Sequence, residues 1–158
     1  MTVVATERNE QLTTKQRAAV EAELAELEGP RRTAVVQAIK TAREHGDLSE
    51  NFEYHAAKNE QGFLEARIRT LRKRLADSVS VNESAIPEGE VAPGSIVTLE
   101  DDAGERMEVE ISSVGGPGTV SPESPLGRAL IARRAGDSVE VHAPSGSWKA
   151  RIVSVSRP

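Results

Sequence analysis

Asp47 and Glu50 stand three positions apart in the segment Arg43-Glu44-His45-Gly46-Asp47-Leu48-Ser49-Glu50-Asn51-Phe52-Glu53-Tyr54-His55. That spacing is compatible with two kinds of chemistry. An acidic cap followed by Glu at the third position beyond it matches a capping box, so both side chains could do no more than start a helix. Alternatively, the two carboxylates could hold Mg²⁺, weakly, because that ion keeps several waters and favours phosphate oxygens as further ligands. Such a pair works best by completing a metal site on another macromolecule. His45 and His55 flank the acids and invite a metal or acid–base role, but polar surface residues account for them more simply. The chain contains no cysteine, which excludes disulfides, zinc–thiolate sites and a Cys nucleophile.

The residues around this segment predict a helical support on each side. From Thr13 to Glu28 the chain is rich in Ala, Leu, Glu and Lys, all good helix formers. Val20, Leu24 and Leu27 mark one apolar stripe. Gly29-Pro30 interrupts it, and the pattern resumes with Val35, Ile39 and Ala42 before stopping at Gly46. One kinked or briefly broken helix ending near His45 is expected. Beyond the acids, Tyr54, Ala57, Gln61, Leu64, Ile68, Leu71 and Leu75 alternate at spacings of three and four, a heptad seam. Neither narrow stripe can be buried alone, and the connector is short, so the helices should fold back as an antiparallel hairpin with the acids at its tip. The stripe is scaffold. At 1.5 Å per residue such an arm is roughly 40 Å long.

The second half has a different composition, with nine of the twelve glycines and seven of the eight prolines. Residues 78–93 read as a linker. Ser95–Glu100 and Arg106–Ser112 read as strands joined at Asp101-Asp102-Ala103-Gly104, with Met107, Val109 and Ile111 on one face. Ser124-Pro125 is a helix start, followed by a short helix from Leu126 to Ala132. Strands around Val139 and Val141 and from Trp148 to Val155 complete a small α+β domain.

The chain has 158 residues and a formal net charge of −5, all of it from residues 82–158. This argues against a protein that coats duplex DNA, since such binding rests on many phosphate contacts. The N-terminus lacks the basic flank and apolar core of a signal peptide, and no apolar run approaches the roughly 20 residues that span a bilayer. A cytoplasmic protein without membrane partners is expected.

Residues 42–68, and above all the stretch from Gly46 to Gly62, resemble the hairpin of the bacterial Gre transcript-cleavage factors, most closely their GreA branch. Residues 124–141 are similar to the C-terminal domain of that family, and residues 12–27 to its first helix. The resemblance implies an α+β fold in which an N-terminal coiled-coil hairpin precedes a small FKBP-like domain. Its implied boundaries are a flexible N-terminus over 1–11, a hairpin over 12–77 with its tip loop at 44–52, a linker over 78–93, and a polymerase-docking domain over 94–158.

The same resemblance implies a cofactor of RNA polymerase rather than an enzyme. The hairpin would enter the secondary channel of a backtracked complex, and the polymerase would cut the nascent RNA 3′ end so that elongation resumes. Asp47 and Glu50 occupy the positions of the family's catalytic acids, which stabilise an Mg²⁺ shared with the polymerase centre and orient water. Ser49 and Asn51 either orient those acids or simply start the helix. Arg43 and Lys58 match the family's RNA-contacting basic patch, whereas Arg67, Arg69, Arg72, Lys73 and Arg74 read as a solvated face or a channel lining. Phe52 departs from the small residue usual at its position, and should pack under the loop rather than stack on an RNA base. Ser124, Pro125, Leu126, Gly127 and Arg128 are candidate docking residues, or equally a helix start closing the core. The loop from Val114 to Val120 is shorter than in GreA proteins. The implied factor is a monomer when bound, and any link to DNA runs through polymerase. Three rival readings are a channel inhibitor on the same fold, a free-standing metal nuclease, and an adaptor hairpin. The intact acid pair disfavours the first, and two acids without a basic cleft are too few for the second.

Overall fold

The computed structural model describes residues 9–47 and 49–158. These form two compact units: residues 18–77, and residues 9–17 together with 78–158. In chain order the elements are β1 (Gln11–Leu12), α1 (Thr14–Glu26), a π-helical turn (Leu27–Arg31), α2 (Arg32–Arg43), α3 (Phe52–Asp77) and β2 (Val79–Ser80). A 3-10 turn (Glu83–Ala85) follows, then β3 (Ile96–Asp101), β4 (Arg106–Ile111), β5 (Thr119–Val120), α4 (Pro125–Leu130), β6 (Ser138–Ala143) and β7 (Gly146–Ser156).

In the helical unit, α2 and α3 close on the seam that the spacing marks. Val35 and Ile39 meet Ala57, Leu64 and Ile68 in one buried cluster, with Leu24, Leu27 and Tyr54 packed around it. Each fully buried Leu or Ile contributes about 1.5–3 kcal/mol relative to exposure. The expected interruption at Gly29-Pro30 takes a milder form. The residues on either side, Glu26 and Arg32, keep right-handed helical dihedrals, and the Arg32 N–H donates to the carbonyls of Leu27 and Gly29. Widening one turn in this way carries the helix past a proline that has no N–H to give.

Two members of the basic run on α3, Arg67 and Arg72, pair across the hairpin while remaining about half exposed. Arg67 donates to both carboxylate oxygens of Glu23, at 2.8 and 3.1 Å. Arg72 pairs with Glu28 at 2.5 Å and Arg31 with Glu60 at 2.5 Å, while Lys73 pairs with Asp77 along α3. Arg32 makes a two-pronged contact to Glu65 at 2.9 and 3.0 Å, which raises the guanidinium pKa and lowers that of the carboxyl. Exposed pairs of this kind add little stability individually, and the buried seam carries most of the hairpin's packing.

In the other unit a five-stranded sheet runs in the order β5-β4-β3-β7-β6, antiparallel except for the β4–β5 pair. Val91, Val97, Leu99, Val109, Ile111, Leu130, Val139, Ala150 and Ile152 form its core, with α4 packed against it. Met107 shares a face of β4 with Val109 and Ile111, as the alternation predicts, but is 46% exposed where those two are buried. The segment expected as a linker, 78–93, belongs to this unit. Val79–Ser80 pairs in parallel with Gln11–Leu12, and Val91 is buried in the sheet core. Of the N-terminus expected to be flexible over 1–11, residues 1–8 lie outside the described residues, and Gln11 is strand.

One buried polar device had a sequence signature that the spacing analysis passed over. Thr13-Thr14-Lys15-Gln16 is a capping box: the Gln16 N–H donates to Thr13 Oγ1 at 3.1 Å, and the Thr13 N–H donates to Gln16 Oε1 at 3.1 Å. The Gln16 amide then donates through Nε2 to the Ile111 carbonyl at 3.0 Å, tying the start of α1 to the end of β4. Gln16→Ala leaves the buried Thr13 N–H without its partner, and should cost about 1–2 kcal/mol in urea unfolding. An unchanged midpoint would show that water replaces the amide at no cost.

Candidate functional site

The start of α3 is built by Asn51. Its Oδ1 accepts the Tyr54 N–H at 2.9 Å, so Asn51 is the cap of α3. Its Nδ2 donates to the Ala42 carbonyl at 2.6 Å, tying the end of α2 to the start of α3. Gly46, at φ 108°, supplies the left-handed residue that turns the chain after α2. With the cap supplied by Asn51, neither Asp47 nor Glu50 is needed to start the helix. Asp47 instead makes a local turn in which its Oδ1 accepts both the N–H and the hydroxyl of Ser49 at 2.9 Å.

That turn lowers the pKa of Asp47. The Ser49 backbone N–H, and after it the Ser49 hydroxyl, stabilise the anion and hold its pKa below the ordinary carboxylate value. The depressed value means that the charge persists as pH falls, and is lost only when pH passes down through the folded-state pKa. Ser49→Ala removes the second donor and keeps the first, so the Asp47 pKa should rise part of the way back. A ¹³C-detected carboxyl titration reads this directly, and an unmoved titration would exclude the hydroxyl as a cause.

Both acids are exposed, and Oδ1 carries both Ser49 bonds to Asp47. Among the described residues, no group of three or more His, Asp or Glu side chains could hold a metal ion. Two carboxylates are fewer ligands than the six oxygens of an Mg²⁺ shell, so a metal held here would need further ligands. His45 Nε2 lies 3.6 Å from Glu53 Oε2, and His55 stacks edge-on to Tyr54 at 5.6 Å between ring centroids.

The two cations expected to act together do share a surface. Arg43 and Lys58 line one shallow concavity with Val36, Ile39, Lys40 and Gln61. Lys40 is a third cation that the sequence reading omitted, although its place one turn before Arg43 signals it. Arg43 stands over the Tyr54 ring with 5.9 Å from Cζ to the centroid, and Lys58 Nζ donates to Gln61 Oε1 at 3.2 Å. Phe52 contradicts its expected packing under the loop. It is 87% exposed, because as the first residue of α3 it projects about 200° around the helix from Tyr54 on the seam.

The five candidate docking residues divide. Ser124 caps α4 by accepting the Gly127 N–H at 3.0 Å. Together with Pro125 and Leu126 it borders a shallow recess completed by Val141 and Trp148. Gly127 is buried and serves close packing, while Arg128 faces a separate groove beside Ile131 and lies 3.5 Å from Glu123.

Comparison with known proteins matches both units. Residues 10–79 match the family model described as transcription elongation factor, N-terminal, and residues 86–157 match transcription elongation factor, GreA/GreB, C-term. The chain is 40% identical over 156 residues to transcription elongation factor GreA of Streptococcus sanguinis strain SK36, covering 96% of this chain and 98% of the relative. GreA of Streptococcus pneumoniae serotype 19F strain G54 matches at the same identity and coverage. Among solved structures, GreA factor homolog 1 of Thermus thermophilus is 28% identical with a TM-score of 0.46, covering 94% of this chain and 99% of that one. Two family models spanning nearly the whole sequence, and relatives at this identity along their full length, place the chain in the GreA/GreB family of transcription elongation factors.

Proposed function

We propose that the protein binds bacterial RNA polymerase, presents its hairpin tip through the secondary channel, and stimulates the polymerase to cut the nascent RNA 3′ end in backtracked complexes. The observation that carries this reading is the division of labour at the tip. Asn51 does the capping, so Asp47 and Glu50 stay exposed and ionisable beyond the end of α2. Asp47 is an exposed carboxylate whose Oδ1 takes both Ser49 hydrogen bonds, and it would accept a hydrogen bond from water or ligate a cation. Asp47 and Glu50 would hold Mg²⁺ jointly with ligands from the polymerase, and the ion would supply Lewis-acid stabilisation of charge on the scissile phosphate. Lys40, Arg43 and Lys58 supply cationic surface for the extruded RNA. The C-terminal unit, read as an FKBP-like docking module, would seat on the polymerase rim through the recess of Ser124, Pro125, Leu126 and Trp148. The reaction stays with the polymerase, and this chain is its cofactor. Among the described residues no helix is long and apolar enough to cross a membrane.

The test is a backtracked elongation complex with labelled RNA, supplied with Mg²⁺ and the protein. Rapid 3′ trimming supports the reading. Binding that slows elongation without trimming would move the protein to the inhibitors of the same fold, and trimming of naked RNA would make it a nuclease.

A further inference from the structure

Phe52 is the most exposed large apolar side chain among the described residues, at 87%, followed by Phe63 at 78%. It lies two positions after Glu50 and five after Asp47, and its backbone is fixed by the Asn51 cap and the tie to Ala42. The cap fixes where the ring is attached, and only two side-chain torsions are left to order when it meets a partner. Its surroundings are polar: Glu50, Glu53 and His55 are all exposed. A protein pocket deep enough to swallow the ring would have to strip water from those groups. A nucleobase needs only one face of the ring and leaves the rim wet. Every base offers such a face, which suits a factor that must act on any 3′ end.

We propose that Phe52 is a stacking platform for a nucleobase at the RNA 3′ end, holding the nucleotide beside the phosphate that Asp47 and Glu50 address. This rests on the cleavage reading above, and adds a substrate contact that the two acids and the basic concavity do not provide. Two successive Cα steps span at most about 7 Å, so a base resting on Phe52 lies next to whatever Glu50 touches.

The experiment measures trimming of backtracked complexes by the full-length protein, recording the half-saturating factor concentration and the maximal rate separately. Variants are Phe52→Ala, Phe52→Leu and Phe52→Trp, with Phe63→Ala as a control three turns along the same helix. Phe52→Ala and Phe52→Leu should each lose about tenfold in efficiency, the scale of one base–aromatic stack, while Phe52→Trp retains activity. An abasic ribonucleotide at the extruded 3′ end should bring the wild-type protein down to the level of Phe52→Ala, and Phe63→Ala should behave as wild type. Full activity in Phe52→Leu would overturn the proposal in favour of an apolar contact with the polymerase wall, as would an equal loss in Phe52→Ala on abasic and normal ends. Full activity in Phe52→Ala would overturn any role for the ring. A wild-type protein that trims no RNA would overturn the cleavage reading and this inference with it, whereas the variant results strike the inference alone.

Discussion

Asp47→Asn and Glu50→Gln should each reduce transcript cleavage by about 10²–10⁴-fold while leaving polymerase binding intact, the range for removing one positioned acid–base or charge-stabilising group. The substitutions are chosen to change charge and little else. Asn at position 47 can still accept the Ser49 N–H and hydroxyl that shape the turn, and Gln at position 50 keeps the length of the glutamate. Neither residue caps α3, so the helix start held by Asn51 should survive both changes. If the two acids serve one shared cation, the double variant should be little worse than the worse single variant, because groups that act as a unit lose function together. Binding is read by competition between each variant and the wild-type protein for the polymerase. Wild-type cleavage by either variant would remove that acid from the reacting centre. Loss of binding in step with cleavage would mean that the tip recognises the polymerase rather than equips it.

The hairpin was legible because its apolar residues recur at helical spacing over many turns, and burial follows that pattern from Ala57 through Leu64, Ile68 and Leu71. What the sequence could not rank was two competing helix starts, Asp47 with Glu50 and Asn51 with Tyr54. Both fit the local chemistry of a cap, and the choice turns on whether one side chain can also reach the Ala42 carbonyl across the hairpin. The Gly29-Pro30 pair misled in a similar way. As a local signal it breaks a helix, yet the packed flanks α1 and α2 retain helical geometry and absorb it in one wide turn. Two-residue strands such as Gln11–Leu12 and Val79–Ser80 carry no periodicity to detect, so the segment after α3 read as a spacer. Lys40 was recoverable, standing one turn from Arg43, whereas the part played by Trp148 in the C-terminal recess depends on how β7 pairs back along β6, where Trp148 stands opposite Val141.

Gly127 shows most clearly how a motif residue can matter without touching a partner, and its substitution should be the most damaging in the C-terminal unit. A Cβ at this position would fall 2.0 Å from the Ser121 carbonyl oxygen and 2.9 Å from Pro122 Cα. Both are backbone atoms, so no side chain can swing aside, and either the 121–122 segment or α4 must move. Ser121 also accepts the Ser124 hydroxyl through its carbonyl at 2.7 Å, and Ser124 in turn accepts the Gly127 N–H, so displacement dismantles the cap of α4 as well. Overpacking costs roughly 1–3 kcal/mol, and with the lost cap Gly127→Ala should reach at least the upper end of that range. For a unit of this size that corresponds to a fall in Tm on the order of 10–20 °C. Polymerase binding should fall with it, because Pro125 and Leu126 ride on the displaced turn at the edge of the recess. Leu126→Ala separates the two effects: it trims the half-buried recess wall, leaves the Gly127 contact alone, and should weaken binding with a smaller thermal shift. A Gly127→Ala protein that melts and binds like wild type would show that the 121–122 segment yields freely, and that the close approach of α4 to it holds neither the fold nor the docking face.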